Sequence, residues 1–547
     1  MIPNKPVFNI KKLKNYADWY LLAFLLLFLD VKLAVKVPAI VLIYLFRFNF
    51  QFGFSWRNSR LPLFYPIVIA IAVFDFVVYR GYSIHNYPLA FLLGIGFWAM
   101  CILAIHQTKL FIERNDVETI HRTLLIFFII NVVASLLNLV VIILKTGAIN
   151  PYLYQGEYQK YFVSTGDYVK GITFDTSTTN AVLNAFGVLY FFERKNSLMI
   201  LVCMAVLLLT GSNFTNLMIF GILAVLFIFK SSKDQKSLIV VCMMFLVIFM
   251  AKISPQNDDY LTNTVKIILY QHNYKTPWPA DVVPVELRPD STLSPEEKRQ
   301  KLATLALDSI RKYNRARLAL KSVVGPVLEN KAGKIIIPKP NLNDSIYQNR
   351  DITPPEQRQL ALFVNSHSAQ LPISSKPKHF TPVPGKYTGA LQTVIFLRNN
   401  PAKIVTGDGI GNFSSKLAFR TTGLRFTGGY PAGMIYINPA FLSNHLDVYL
   451  NFFSRGAGFH SLTNSPFSTY DQMLAEYGAL GFISLLVFYL HFFARQHRKL
   501  TYGLPLLFCV LALFLVDYWF EQLSVIVMFE LMIFLDIKEN SLVRSAK

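Results

Sequence analysis

Long apolar runs alternate with short basic clusters along most of this chain, and that pattern leaves few folds open to it. A run of about 20 apolar residues is long enough to cross a bilayer as a helix. In hydrocarbon, every backbone N–H and C=O must be satisfied within the protein, which leaves helices or closed barrels. The balance agrees: 53% of the 547 residues are hydrophobic and 16% are charged, against roughly 25% charged in soluble domains. Most of the remaining charge lies between about residues 252 and 475. The expected fold class is an all-α polytopic membrane protein.

The first run follows Lys11, Lys12 and Lys14 and has no small-residue cleavage site behind it, which predicts a retained anchor. Asp30 and Lys32 interrupt Tyr20 to Phe46 and predict two short helices meeting at the outer surface. Further spans are expected near 61–79, 88–106, 122–145, 173–192, 197–210, 215–229 and 237–252, then near 476–493, 503–519 and 521–537. The total is about twelve transmembrane helices, several of them short for a perpendicular crossing. Residues 1–252 then form an N-terminal bundle of about nine helices. Residues 253–475 form one large, mainly helical and loop-rich extracytoplasmic domain, and 476–547 the last three helices and a tail.

Lys and Arg concentrate in cytoplasmic loops. The groups Lys11/Lys12/Lys14, Arg47/Arg57/Arg60, Arg194/Lys195, Lys230/Lys233/Lys236 and Arg495/Arg498/Lys499 all fall on one side of the expected topology. Both termini join that side, which places 253–475 outside; long loops translocate regardless of charge. The net charge of +21 therefore sets topology in part. No nucleic-acid motif accompanies it, so an anionic substrate at the membrane surface fits better. Cys101, Cys203, Cys242 and Cys509 all lie in apolar runs and read as packing residues rather than a disulfide or zinc framework.

Within the outer segment, Ser294-Pro295-Glu296-Glu297 reads as a helix start, and the prolines from Pro338 to Pro384 read as an extended strap. Thr388 to Asn399 predicts a helix stopped at Pro401. Gly407 to Phe413 lacks the strand and acidic partner of a dinucleotide site, and predicts a tight turn where two backbones approach closely. Three polar patches border apolar runs: Thr173 to Asn180, Gly211 to Asn216, and Arg455, His460, Asn464, Ser468, Asp471 and Glu476 leading to Gly478. All three are expected at one membrane face, where polar groups commonly line a site.

This arrangement resembles the O-antigen ligase and O-antigen polymerase superfamily. That family has about a dozen spans with one large periplasmic loop before the last few. Gly385-Lys386, a helix to Pro401 and the Gly407–Phe413 turn follow the family's loop pattern, with Lys386 where the family has arginine. Phe467-Ser468 precedes Gly478-x-x-Gly481 at the family's spacing, with Phe467 where the ligases have histidine. Ser212-Asn213 stands for a serine–arginine pair. These departures point away from a standard lipid-A-core ligase and toward a polymerase or a ligase with another acceptor.

The resemblance implies a bacterial inner-membrane glycosyltransferase for surface polysaccharide assembly. Its donor would be an oligosaccharide or polysaccharide on undecaprenyl diphosphate, its acceptor a glycan or lipid, and other polysaccharide assembly proteins its partners. Transfer needs cations for the diphosphate and a base for the attacking hydroxyl. The cation candidates are Lys386, Arg398, Arg420, Arg425 and Arg455; Asp175 and Ser468 join them as substrate-binding candidates. His460 is the first candidate base, followed by Asp471 and Glu476, with His445 a further one. No metal or cofactor is expected, since no His/Asp/Glu cluster has metal-ligand spacing. Two other readings stay open: a non-enzymatic flippase or exporter of lipid-linked polysaccharide, and a catalytically inactive member of an assembly complex.

Overall fold

The computed structural model describes residues 16–30, 32–153, 169–174, 177–254, 289, 291, 385–422, 430, 432–445, 448 and 465–545. Among these residues every regular element is helical. The first half comprises α1 (Trp19–Phe28), α2 (Leu33–Phe46), α3 (Phe64–Val78), α4 (Tyr87–Arg114), α5 (Val117–Thr146), α6 (Ser177–Glu193), α7 (Ser197–Leu209), α8 (Asn213–Phe229) and α9 (Lys233–Ile253). The second comprises α10 (Gly385–Asn399), α11 (Lys403–Thr406), α12 (Lys416–Thr421), α13 (Pro439–Asn444), α14 (Thr469–Ala494), α15 (Gly503–Leu513), α16 (Trp519–Gln522) and α17 (Ser524–Ser545).

Helices α4, α5, α9 and α14 are long and apolar enough to cross a membrane. Helices α1, α2, α3, α7, α8 and α15 are apolar but shorter. The remaining two long helices form the centre. Ser177 to Phe192 of α6 and Ser524 to Asp536 of α17 are buried on every side, the pattern of a helix in the core of a large protein. Phe186 and Phe529 bring the two helices together, their ring centroids 6.5 Å apart.

Local chemistry sets the helix ends. Asp18 caps α1 by accepting from the Tyr20 and Leu21 N–H groups. The expected break before α2 is present: Asp30 Oδ1 accepts from the Lys32 N–H at 2.8 Å. Lys36 then folds back, its buried ammonium donating to the Phe28 carbonyl at 2.5 Å and to Ser524 Oγ at 2.8 Å. Ser232 and Gln235 form a capping box on α9.

One end of the bundle is laced by ion pairs: Arg60–Glu113, Arg194–Glu539 and Lys230–Glu193. These use the basic groups that the sequence places on a single side. The opposite end carries the described residues of the polar patches.

The boundaries that bear on the site differ from the sequence reading. Helix α6 starts at Ser177 rather than near 173, because Gly171–Thr173 forms a separate 3-10 turn. Asn138 Oδ1 accepts from the Lys170 and Gly171 N–H groups, and Asn131 Oδ1 from that of Ile172. Asn180 completes the zipper, accepting from Asn131 and donating to Ser135 and the Val169 carbonyl. Asn180 of the first polar patch is therefore satisfied within its own bundle. Helix α14 starts at Thr469, so Asp471 and Glu476 lie inside it. Helix α15 ends at Leu513, because Asp517 turns the chain by accepting from the Tyr518 N–H and Gln522 Nε2. The helix expected at Ser294 and the proline-rich strap lie outside the described residues.

Candidate functional site

The site is built where α10, the glycine-rich turn and the first turns of α14 meet. The turn seats first. Gly407, Gly409 and Gly411 all have positive φ, at 80°, 93° and 73°, a region that side chains rarely adopt. Gly478 breaks α14 opposite them with φ 65° and ψ −164°. Backbone meets backbone here: Asp408 N–H donates to the Ala475 carbonyl at 2.9 Å and Gly409 N–H to that of Glu476 at 3.1 Å. A Cβ on Gly407 would lie 2.3 Å from the Glu476 carbonyl carbon, and one on Gly478 2.4 Å from the Val405 oxygen. The sequence expectation of two closely approaching backbones matches this geometry.

Glu476 clamps the same turn. Its Oε2 accepts from the Gly411 N–H at 2.9 Å and its Oε1 from that of Phe413 at 3.1 Å. It is fully buried. Both oxygens are thus committed to the backbone, and the geometry gives Glu476 a positioning place rather than the base role expected from sequence.

Next to this clamp, four elements converge on Asp471. Ser414 Oγ, directly after the turn, donates to Asp471 Oδ2 at 2.6 Å and lies 3.3 Å from the Tyr518 hydroxyl. His445 Nε2 lies 3.2 Å from the same Oδ2, and His445 Nδ1 lies 3.1 Å from Gln392 Oε1 of α10. Phe413 packs against the imidazole with centroids 4.7 Å apart. Ser468 caps α14 by accepting from the Asp471 N–H, and its hydroxyl donates to the Phe514 carbonyl at 3.2 Å.

Lys386, at the start of α10, reaches into this group. Its ammonium donates to Ser465 Oγ at 3.2 Å, to the Val516 carbonyl at 3.1 Å and to the Phe467 carbonyl. Burial pushes its pKa down to about 7, while Asp517 and Asp471 oppose that shift. Phe467 packs on Tyr518 with centroids 5.4 Å apart.

The structure therefore brings Lys386, Ser468 and Asp471 together and adds His445. Arg420 stands apart on α12, where its charge acts on Glu521; Glu521 itself accepts from the Leu417 N–H and Gln472 Nε2. Arg398 is exposed on α10. His460, Arg425, Arg455 and Asp175 lie outside the described residues. Sequence reasoning passed over Gln392, Ser414, Asp517 and Tyr518. Asp517 had a readable signal, a polar break in an apolar run like the three already noted. Gln392 and Ser414 had none, since their roles depend on a fold that brings them to His445 and Asp471.

Of the other polar patches, Thr179 of α6 connects to the site, donating to Gln522 Oε1 at 3.3 Å while Gln522 donates to Asp517. In the α8 patch, Ser212 Oγ lies 2.9 Å from Thr215 Oγ1. Among the described residues, no group of His, Cys, Asp and Glu is arranged to hold a metal ion. No protein-family model, curated protein or solved structure matches the chain.

Proposed function

We propose that this chain is a membrane glycosyltransferase that takes a glycan from undecaprenyl diphosphate and either extends another lipid-linked glycan or passes it to an acceptor. In this reading the chain makes about twelve crossings of the bacterial inner membrane, with both termini in the cytoplasm and the site on the periplasmic side. The observation that carries it is the grouping of Lys386 with the His445–Asp471 pair, at the end of the bundle opposite the ion-paired one.

The chemistry assigns each group a task. The acceptor hydroxyl oxygen attacks the anomeric carbon, and the bond from that carbon to the diphosphate oxygen breaks. The hydroxyl proton passes to Asp471 at Oδ1, while Ser414 at 2.6 Å and His445 at 3.2 Å hold Oδ2. The electron pair leaves on the diphosphate, and the Lys386 ammonium balances the added charge. Glu476 acts on this chemistry only by holding the turn that presents Ser414 and Phe413.

Release of undecaprenyl diphosphate from a labelled donor tests the proposal. Protein in lipid nanodiscs should release it only when an acceptor glycan is present, and Asp471→Asn should slow release by about 10²–10⁴-fold without abolishing donor binding. Donor binding with no release from the unsubstituted protein would favour the exporter reading instead.

A further inference from the structure

Helix α10 lies in a segment that its charge places in water, yet its outward face is apolar. Tyr387, Leu391, Val394 and Ile395 are 61%, 45%, 55% and 46% exposed. They recur at helical spacing and form one stripe. The opposite face buries Gln392 and Thr393 together with Phe396 and Leu397, and Gln392 meets His445 there. An outward face of large apolar groups, with Gln392 and Thr393 turned inward beside Phe396 and Leu397, is the arrangement of a helix whose surroundings are hydrocarbon.

The stripe does not stand alone. Helix α11 follows directly and exposes Ile404 and Val405. Val405 sits against the break in α14, where its carbonyl crowds Gly478. On α14 itself Leu480 and Ile483 are exposed, and α14 is one of the helices long and apolar enough to cross a membrane. The other side of α11 is tied to α3, with the Tyr79 hydroxyl donating to the Ala402 carbonyl at 3.3 Å. Beyond the short link at 398–402, α11 and α14 thus carry apolar outward faces beside the stripe of α10. Its far end closes in Arg398, Asn399 and Asn400, all exposed, the polar flank expected at a membrane surface.

We propose that α10 and α11 form a membrane-embedded hairpin, with the Tyr387–Leu391–Val394–Ile395 stripe lying in the acyl chains of the bilayer. The segment between α9 and α14 is then not wholly aqueous. One wall of the site, the Lys386 and Gln392 side of α10, is a helix whose back faces lipid. A substrate with a polar head and a hydrocarbon tail reaches such a wall sideways from the membrane. The inference rests on the membrane location of α14 and does not depend on glycosyl transfer, because its test reads position without turnover.

The test is site-directed spin labelling in lipid nanodiscs, one position at a time: Leu391→Cys, Val394→Cys, Ile483→Cys and Arg398→Cys. The four native cysteines are free and buried, and labelling of the unsubstituted chain sets the background. Oxygen partitions into hydrocarbon while a nickel chelate stays in water. The ratio of oxygen to nickel collisions at 391 and 394 should match that at 483 and exceed that at 398 several-fold. A ratio at 391 and 394 equal to that at 398 overturns the proposal. Low collision rates with both reagents, joined by dipolar broadening between labels, overturn it too, because a second copy then covers the stripe. The unsubstituted protein gives an independent check with photoactivated carbene reagents. The membrane-soluble reagent should modify 387–395, and modification there only by the water-soluble one contradicts the proposal.

Discussion

Replacing Glu476 with glutamine separates a clamp from a catalyst. The carboxylate offers one oxygen to Gly411 N–H and the other to Phe413 N–H, at 2.9 and 3.1 Å. Glutamine keeps the shape but can accept at one of these only; its NH₂ must face the other backbone N–H. One hydrogen bond is lost and a buried amide N–H is left unsatisfied, at a cost of about 1–3 kcal/mol. That is a sizeable share of the roughly 5–15 kcal/mol that holds a typical domain. The assay is thermal unfolding read by a thiol-reactive fluorophore, which suits a chain whose cysteines are all buried. Glu476→Gln should unfold several degrees below the unsubstituted protein, and its activity should fall in step with the folded fraction. A variant of unchanged stability with abolished activity would refute the clamp and restore Glu476 as a chemical group.

Other outcomes follow from the same geometry. Gly407→Ala, whose Cβ meets backbone at 2.3 Å and whose φ is 80°, should cost about 2–6 kcal/mol by strain and overpacking and lower the same unfolding temperature. Burial raises Asp408 from 3.8 to about 7, although Lys403 opposes the shift. The folded state therefore holds a proton that the unfolded chain has released, so stability should fall as pH rises from about 4 to about 7, then level off. Asp408→Asn should flatten that slope in pH-resolved unfolding. Lys386 is shifted the other way, from 10.5 to about 7, so the unfolded chain binds more protons between those values and Lys386's contribution to stability should rise over that window. Binding of an anionic diphosphate should weaken as pH climbs above about 7, and Lys386→Arg, which stays charged, should remove that dependence in a titration of affinity against pH.

Much of the fold was legible because membrane solvation acts on local sequence. Asp30 and Lys32 marked the α1–α2 break because a carboxylate and an ammonium seldom sit inside an apolar helix without partners. Pro401 stopped α10 where expected. The glycine-rich turn announced a close backbone approach, which Gly407 makes against Glu476, while a side chain at Gly409 or Gly411 would meet the side chains of Asp75 or Leu417. Helices α6 and α17 were harder to read. Both are buried by other helices, so they tolerate Asn184, Glu530 and Asp536 and their apparent ends move. The site was legible in part. Lys386, Ser468 and Asp471 stood out as polar residues beside apolar runs. The association of His445 with Asp471 was not readable, because α10, the glycine turn and α14 must all be in place before those side chains meet. Glu476 looked like Asp471 in sequence. Only the fold shows that its oxygens face backbone amides.

The central claim is transfer of a lipid-linked glycan at the Lys386–His445–Asp471 cluster. The most direct measurement gives the purified protein, in nanodiscs, an undecaprenyl-diphosphate oligosaccharide and a candidate acceptor, and resolves the products by size and linkage. The account predicts longer lipid-linked chains or a glycosylated acceptor, with both lost in His445→Ala and Asp471→Asn variants that remain folded. Unchanged donor and acceptor, recovered from protein that demonstrably binds the donor, would contradict it.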